Sequence, residues 1–325
     1  MKQTPMINQL EKEVPTREAA IRIQNLTRYY DDFKAVDGVT FDIDRNEIFG
    51  LLGPNGAGKT TTISMICGLL PASEGTIGFS SSAGRDPKSI IGYCPQENIF
   101  YPKLTCMEQI VFIGQLYNLP SKRVKARASE LLEVMGLTGK AHVRASKLSG
   151  GMKRRLNICM ALIHDPEILI LDEPEAGLDP QSRILVRDFI RSVGKKKTVI
   201  LTTHNMDEAD RLADRVAIID HGKLLMLDTP SNLKKTIGEG DILELLLSNA
   251  TPDEINRFIE QIANHTLKAT VSDELVLIKH PGIIEKLPEI KRVAEVMGLT
   301  IGEIKLRENS LEDVFIHLTG RKLRQ

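Results

Sequence analysis

The feature that most constrains the fold is the run Gly53-Pro54-Asn55-Gly56-Ala57-Gly58-Lys59-Thr60, set between the apolar segment Ile48–Leu52 and a helix that begins after Lys59. Glycines at these positions let backbone N–H groups turn inward around an anion, and the helix start adds positive partial charge. Lys59 supplies a point charge for the β and γ phosphates of a nucleotide, and Thr60 places a hydroxyl on Mg2+. All fixed positions of a phosphate-binding loop are present and both flanking elements agree, so the chain is expected to carry a strand-loop-helix unit with phosphate at its turn.

A second constellation lies downstream. Ile168-Leu169-Ile170-Leu171-Asp172-Glu173 is four apolar residues followed by two carboxylates. A strand this apolar is buried on both faces, so it delivers its carboxylates to the carboxyl edge of a sheet, where the phosphate loop also sits. Asp172 is then suited to hold Mg2+ through water, and Glu173 to polarise the water that attacks the γ-phosphate. Residues 21–23, 39–43, 198–202 and 216–219 read as further strands, and residues 107–162 as helix-rich. This is the order of an α/β fold with a mostly parallel sheet between helices.

The segment Leu148-Ser149-Gly150-Gly151-Met152 is the most specific of all. By itself it is a serine-capped helix with face residues Met152, Leu156, Cys159, Met160 and Ile163, whose start and two glycines are free to hold an anion. With the two motifs above, it resembles the signature of ABC-type ATPases, a family of phosphate-loop NTPases. The resemblance covers residues 20 to about 235. It implies that Ser149, Gly150 and Gly151 reach the nucleotide held by a second subunit, so that two copies, or this chain and a homologous ATPase subunit, sandwich ATP head to tail. It also implies that residues 53–61, through Thr61, bind ATP; that Gln96 senses Mg2+ and links to a transmembrane partner; that His204 contacts the γ-phosphate and orients Glu173; and that residues 176–179, with Asp179, form the loop through which subunits communicate. Tyr30 resembles the aromatic that stacks on adenine, with Tyr29 as its rival. Two positions depart from the family pattern. Glu175 stands where Thr is frequent and is expected to be solvated, and Met160 stands where an Arg is common.

Composition narrows the alternatives. Lys+Arg and Asp+Glu both total 43, so the net positive field of most nucleic-acid binders is missing and no nucleic-acid partner is expected. Cys67, Cys94, Cys106 and Cys159 form no CxxC pair and sit among apolar residues, which suits buried thiols. No apolar run approaches the roughly 18 residues of a membrane span. Residues 1–19 are expected to be a polar leader, residues 20–235 the ATPase domain with a helical subdomain at about 100–162, and residues 236–325 a C-terminal accessory domain. The strand and helix order βαββαβ after residue 240 points to a small ferredoxin-like fold followed by a helix opened by Ser310 and Asp313. The C-terminal texture, with Leu311-Glu312-Asp313-Val314-Phe315, is similar to exporter ATPases of the ABC-2 branch. The resemblance therefore implies the ATP-hydrolysing subunit of an exporter, cytoplasmic and peripheral on the inner face of the cell membrane through an integral permease. A soluble ABC-type ATPase without a transport role is the alternative, and the closing Arg321, Lys322 and Arg324 are expected to be a solvated tail.

Overall fold

A computed structural model describes residues 18–80, 86–237, 241–263, 268–272 and 275–320. Most of the polar leader and the basic close at Arg321, Lys322 and Arg324 lie outside them. The chain divides into two compact units. The first comprises Met1–Phe49, Gly56–Thr202 and His221–Lys223, and the second Gly50–Asn55, Thr203–Asp220 and Leu224–Gln325. The division runs through the strand that precedes the phosphate loop.

The first unit opens with β1 (Ala19–Tyr30) and β2 (Phe33–Asp44). Strand β3 (Ile48–Leu52) is buried along its length and leads by way of the loop to α1 (Lys59–Ile66), as the apolar run and the glycines require. Strand β4 (Glu74–Phe79) pairs antiparallel with β1, which also pairs with β2, giving a three-stranded sheet β2-β1-β4. A short α2 (Pro87–Ile90) feeds β5 (Ile91–Cys94). The helix-rich stretch follows as α3 (Cys106–Leu116), α4 (Ser121–Val134) and α5 (Gly150–Leu162). Helix α3 begins at a full capping box, in which Thr105 and Glu108 satisfy each other's backbone N–H. Strand β6 (Ile168–Asp172), helix α6 (Pro180–Gly194) and strand β7 (Thr198–Thr203) complete the unit.

Strands β5, β6 and β7 are parallel, and β7 is followed in the sheet by β3. Cys94 lies opposite Leu171, and Asp172 opposite Thr202. The register therefore brings the carboxyl ends of three strands level, which is where α/β sheets carry their ligands. Every residue of β6 is buried, as its unbroken apolar run requires of a strand covered on both faces.

In the second unit β3 is followed in the sheet by β8 (Arg215–Asp220) and β9 (Lys223–Asp228). Helices α7 (Met206–Leu212) and α8 (Pro230–Thr236) pack on them. A separate four-stranded sheet follows. Its elements in chain order are β10 (Asp241–Ser248), α9 (Pro252–Ala263), β11 (Lys268–Ser272), β12 (Leu275–His280), α10 (Ile283–Val296) and β13 (Thr300–Arg307). The spatial order is β11-β12-β10-β13 and every pair is antiparallel, an order that βαββαβ units of ferredoxin-like type have. Leu243, Leu245, Val276 and Ile278 form the face that meets Phe258 and Ile262 of α9 and Ile290 of α10. The last helix, α11 (Leu311–Thr319), starts at the expected Ser310–Asp313 capping box. It buries Leu311, Val314 and Phe315 against Leu52, Met206 and Ala209. Among the described residues no helix is long and apolar enough to cross a membrane.

Candidate active site

The loop glycines adopt backbone angles that side chains resist. Gly56 has φ +81° and Gly58 φ +102°, and a Cβ on Gly58 would come within 2.5 Å of the Ala35 carbonyl oxygen. The chain can therefore turn into α1 with its N–H groups exposed only if these positions are glycine. Lys59, the first residue of α1, is 6 % exposed, and its Nζ lies 3.9 Å from Oε1 of Glu173. Burial holds the Lys59 ammonium below its ordinary pKa, while the charges of Glu173 and Asp172 act in the opposite direction. Thr60 donates its hydroxyl to Asp172 Oδ2 at 3.3 Å, and the Thr202 hydroxyl donates to Asp172 Oδ1. The first unit thus brings Lys59, Thr60, Asp172 and Glu173 together from α1 and the end of β6. Thr61 follows half-buried, and Gly53, Pro54 and Asn55, in the second unit, directly precede Gly56 along the chain.

Glu173 is one of the non-glycine residues with positive φ, at +52°. That backbone is disfavoured by the clash of Cβ with the neighbouring carbonyl and persists only where surroundings impose it. Part of the imposition is visible in its own N–H, which donates to both the carbonyl and the hydroxyl oxygen of Thr202, each at 3.1 Å. Cys67 lies near enough to Asp172 to feel its charge. Burial first, and that carboxylate second, push its thiol up to about 12, so it is protonated at neutral pH. All four cysteines are buried and free.

Gln96 stands exposed just past β5, and its carbonyl accepts from Arg154 Nη1 at 3.3 Å. Arg154 and Arg155 are buried within α5, a feature that the sequence reading missed, since two adjacent arginines on a helix carry no local sign that distinguishes a core position from a solvated one. Tyr29 is engaged, its hydroxyl donating to Glu74 at 3.4 Å with Lys34 over its ring. Tyr30 is 46 % exposed with the Arg28 guanidinium 5.1 Å from its ring centroid, so of the pair it is the more open to a stacking ligand.

A second cluster gathers at the start of α5. Ser149 is exposed and caps the helix, its hydroxyl accepting the Met152 N–H at 3.3 Å. Gly150 is exposed, whereas Gly151 is buried where a Cβ would meet Ser182 Oγ at 2.4 Å and Asp179 Oδ2 at 3.0 Å. Asp179 caps α6 by accepting the Ser182 N–H at 2.9 Å, and that hydrogen bond holds its carboxyl below the usual range. The glycine is thus what allows the starts of α5 and α6 to touch. Glu175, expected to be solvated, is instead 6 % exposed and gripped by Arg187 through two hydrogen bonds of 2.9 and 2.6 Å. Arg187 lies on α6, twelve residues further on, so the partner became visible only once the helix folded back. Met160, the other departure, is half-buried on α5.

In the second unit His204 is exposed between Thr203, the last residue of β7, and Asn205, which caps α7. Its flanks are fixed by a short chain of hydrogen bonds. Asn205 N–H donates to the Thr203 hydroxyl oxygen at 2.9 Å, that hydroxyl donates to the buried Glu208 carboxylate at 2.5 Å, and Glu208 N–H donates to Asn205 Oδ1 at 3.2 Å. Nothing local in the sequence marks Glu208, an acidic residue in the first turn of α7, as a buried partner of this kind.

Residues 36–176 match the family model described as ABC transporter. The chain is 36% identical over 316 residues to the linearmycin resistance ATP-binding protein LnrL of Bacillus subtilis (strain 168), covering 94% of this chain and 99% of that one. It is also 36% identical over 314 residues to the Nod factor export ATP-binding protein I of Burkholderia lata, with 94% and 98% covered. Among solved structures, an ATP-binding subunit of an ABC transporter superposes with a TM-score of 0.62 at 26% identity, covering 73% of this chain and 98% of the other. A likeness that spans nearly the whole of both relatives, joined to a phosphate loop, paired carboxylates and a capped serine helix in one order, leads to one assignment: the chain belongs to the ABC transporter family, as one of its ATP-binding, ATP-hydrolysing subunits.

Proposed function

We propose that this subunit hydrolyses ATP to energise export through a separate integral permease, and that the pair formed by Lys59 and Glu173 is where hydrolysis occurs. The observation that carries the reading is the convergence of the buried Lys59, Asp172 and Glu173 with the exposed Thr60 at one sheet edge. Residues 53–61 cradle the phosphates through backbone N–H groups, and Lys59 neutralises the β and γ oxygens. The Thr60 hydroxyl and the Asp172 carboxylate are hard oxygen donors 3.3 Å apart, which fits an ion that keeps most of its waters and takes one or two protein ligands. Mg2+ held there, with Gln96 near the same edge, would supply charge neutralisation at the phosphates. Glu173 then orients the attacking water, and His204 contacts the γ-phosphate and orients Glu173.

Two copies, or one copy and a homologous subunit, complete each site. Ser149, Gly150 and Gly151 of one subunit approach the nucleotide held by Lys59 of the other, with Asp179 at the contact and Tyr30 against the adenine. The names of the relatives, resistance and export ATP-binding proteins, favour outward transport. An apolar groove of about 510 Å3, lined by Tyr93, Ile99, Phe100, Tyr101, Tyr117 and Met160, opens beside the Gln96 loop and is the place for a permease segment. The subunit accordingly works on the cytoplasmic face of the membrane, held there by that partner. Domain limits at residues 20–235 and 236–325 belong to the same proposal.

Glu173→Gln keeps the shape of the side chain and removes its charge. It is expected to retain ATP binding, to lose hydrolysis by at least about a hundredfold, and to trap an ATP-dependent dimer on gel filtration. Lys59→Ala, the control, should lose binding. An E173Q variant that hydrolyses ATP at the parent rate, or stays monomeric in saturating ATP, would overturn the reading.

A further inference from the structure

Arg154 is 2 % exposed, and each nitrogen of its fork meets a main-chain carbonyl. Nε donates to Pro174 O at 3.4 Å, Nη1 to Pro95 O and, at 3.3 Å, to Gln96 O, and Nη2 to Asp172 O. No carboxylate is among these partners. A buried cation held by carbonyl dipoles alone keeps much of its desolvation penalty, so stability is a poor reason for its presence. What the four carbonyls share is their position. Two lie in the loop after β5, at residues 95 and 96. The other two, at Asp172 and Pro174, stand on either side of Glu173.

Glu173 has a left-handed backbone, and its N–H is already held by Thr202. Arg154 holds the carbonyls of the residues on either side of it, Asp172 and Pro174, so the strained turn is constrained at both ends. From this geometry we infer that Arg154 is a positioning residue of ATP hydrolysis, which brackets Glu173 in its left-handed conformation and ties that bracket to the Gln96 loop. The inference rests on the roles of Glu173 and Gln96 proposed above. Arg154 itself touches no reacting atom. Its guanidinium acts as a planar strut through which a shift of the loop at residues 95–96 reaches the carboxylate at 173, and its place on α5, five residues past Ser149, brings the serine helix into the same frame. A lysine cannot replace it, because an ammonium is a point on a flexible stem and cannot span four carbonyls set in two loops.

The test compares Arg154→Lys and Arg154→Met in the full chain, reading steady-state kcat and KM, the Kd of a fluorescent ATP analogue, and thermal unfolding. R154K is expected to bind the analogue within about threefold of the parent, keep its KM, and lose about tenfold or more in kcat. Placed on an E173Q background, R154K should cost less than about threefold further, because the bracket then has no carboxylate to position. The inference is overturned if R154K keeps kcat within about twofold, if kcat and nucleotide binding fall together, or if R154K fails to fold, which would make Arg154 a core residue only. R154M serves as the reference for loss of both charge and fork, and an R154M no worse than R154K supports the strut over a simple charge effect. An inactive E173Q beside an active R154K defeats the inference alone. An active E173Q defeats the reading of Glu173, and the inference with it.

Discussion

At the scale of single residues, several charged groups fold inward and find partners there, Glu175 among them. Glu175 is two positions from Glu173, yet its carboxylate faces Arg187 rather than the phosphate loop, with Arg183 also 3.8 Å away. Removing one member of a buried pair takes away part of what offsets the desolvation of the other. Glu175→Ala is therefore expected to lower unfolding free energy by about 3 kcal/mol in urea titration, while kcat changes by less than about threefold. A collapse of kcat with unchanged stability would place the carboxylate in the chemistry instead. Lys59 shows the converse arrangement. Its ammonium is buried beside two carboxylates, and burial lowers its pKa while their charges act in the opposite direction.

At the scale of elements, much was legible because the signals are local. A short apolar run bounded by turn signals has the length of a buried strand, and β3 and β6 begin where their apolar runs begin, at Ile48 and Ile168. The capping boxes at Ser310 and at Thr251, where the Glu254 carboxylate accepts the Thr251 N–H at 2.8 Å, are likewise contained in four residues. What no local window contains is the pairing of one element with another. Gly151 reads as half of a glycine pair at a helix start, but its burial against Ser182 and Asp179 is a property of α5 and α6 together. Gly151→Ala should cost about 1–3 kcal/mol through overpacking at this seat, and Ser182→Gly should restore part of it. Unfolding curves of the single and double variants measure the recovery; strictly additive losses would show that the two positions are not coupled.

At the scale of the molecule, the second unit joins the chain's last helix to its phosphate-loop strand. Phe315 is 1 % exposed and packs in one cluster with Leu52, the residue before Gly53, and with Met206 and Ala209 of the helix that follows His204. Arg307 of β13 adds a polar clamp, donating to Glu244 of β10 at 2.5 Å and to Asp313 of α11 at 2.6 and 3.0 Å. Truncating a fully buried aromatic removes its transfer free energy and leaves a cavity. Phe315→Ala is expected to cost about 3–5 kcal/mol and to raise the KM for ATP as the strand end loosens, measured by thermal unfolding and steady-state kinetics. An F315A variant that melts with the parent would show that α11 does not support this strand.

By itself the sequence determined the phosphate loop, the paired carboxylates, the capped serine helix and the alternation of strands and helices, because glycine geometry, apolar periodicity and caps act over a few residues and leave their pattern in the chain. Only the tertiary structure decided that Arg154 and Arg155 are buried, that Arg154 meets the carbonyls around Glu173, and that Glu175 turns to Arg187. Those outcomes depend on desolvation balanced against partners 12 to 59 residues away, and burial of a charge cannot be read from its neighbours in sequence.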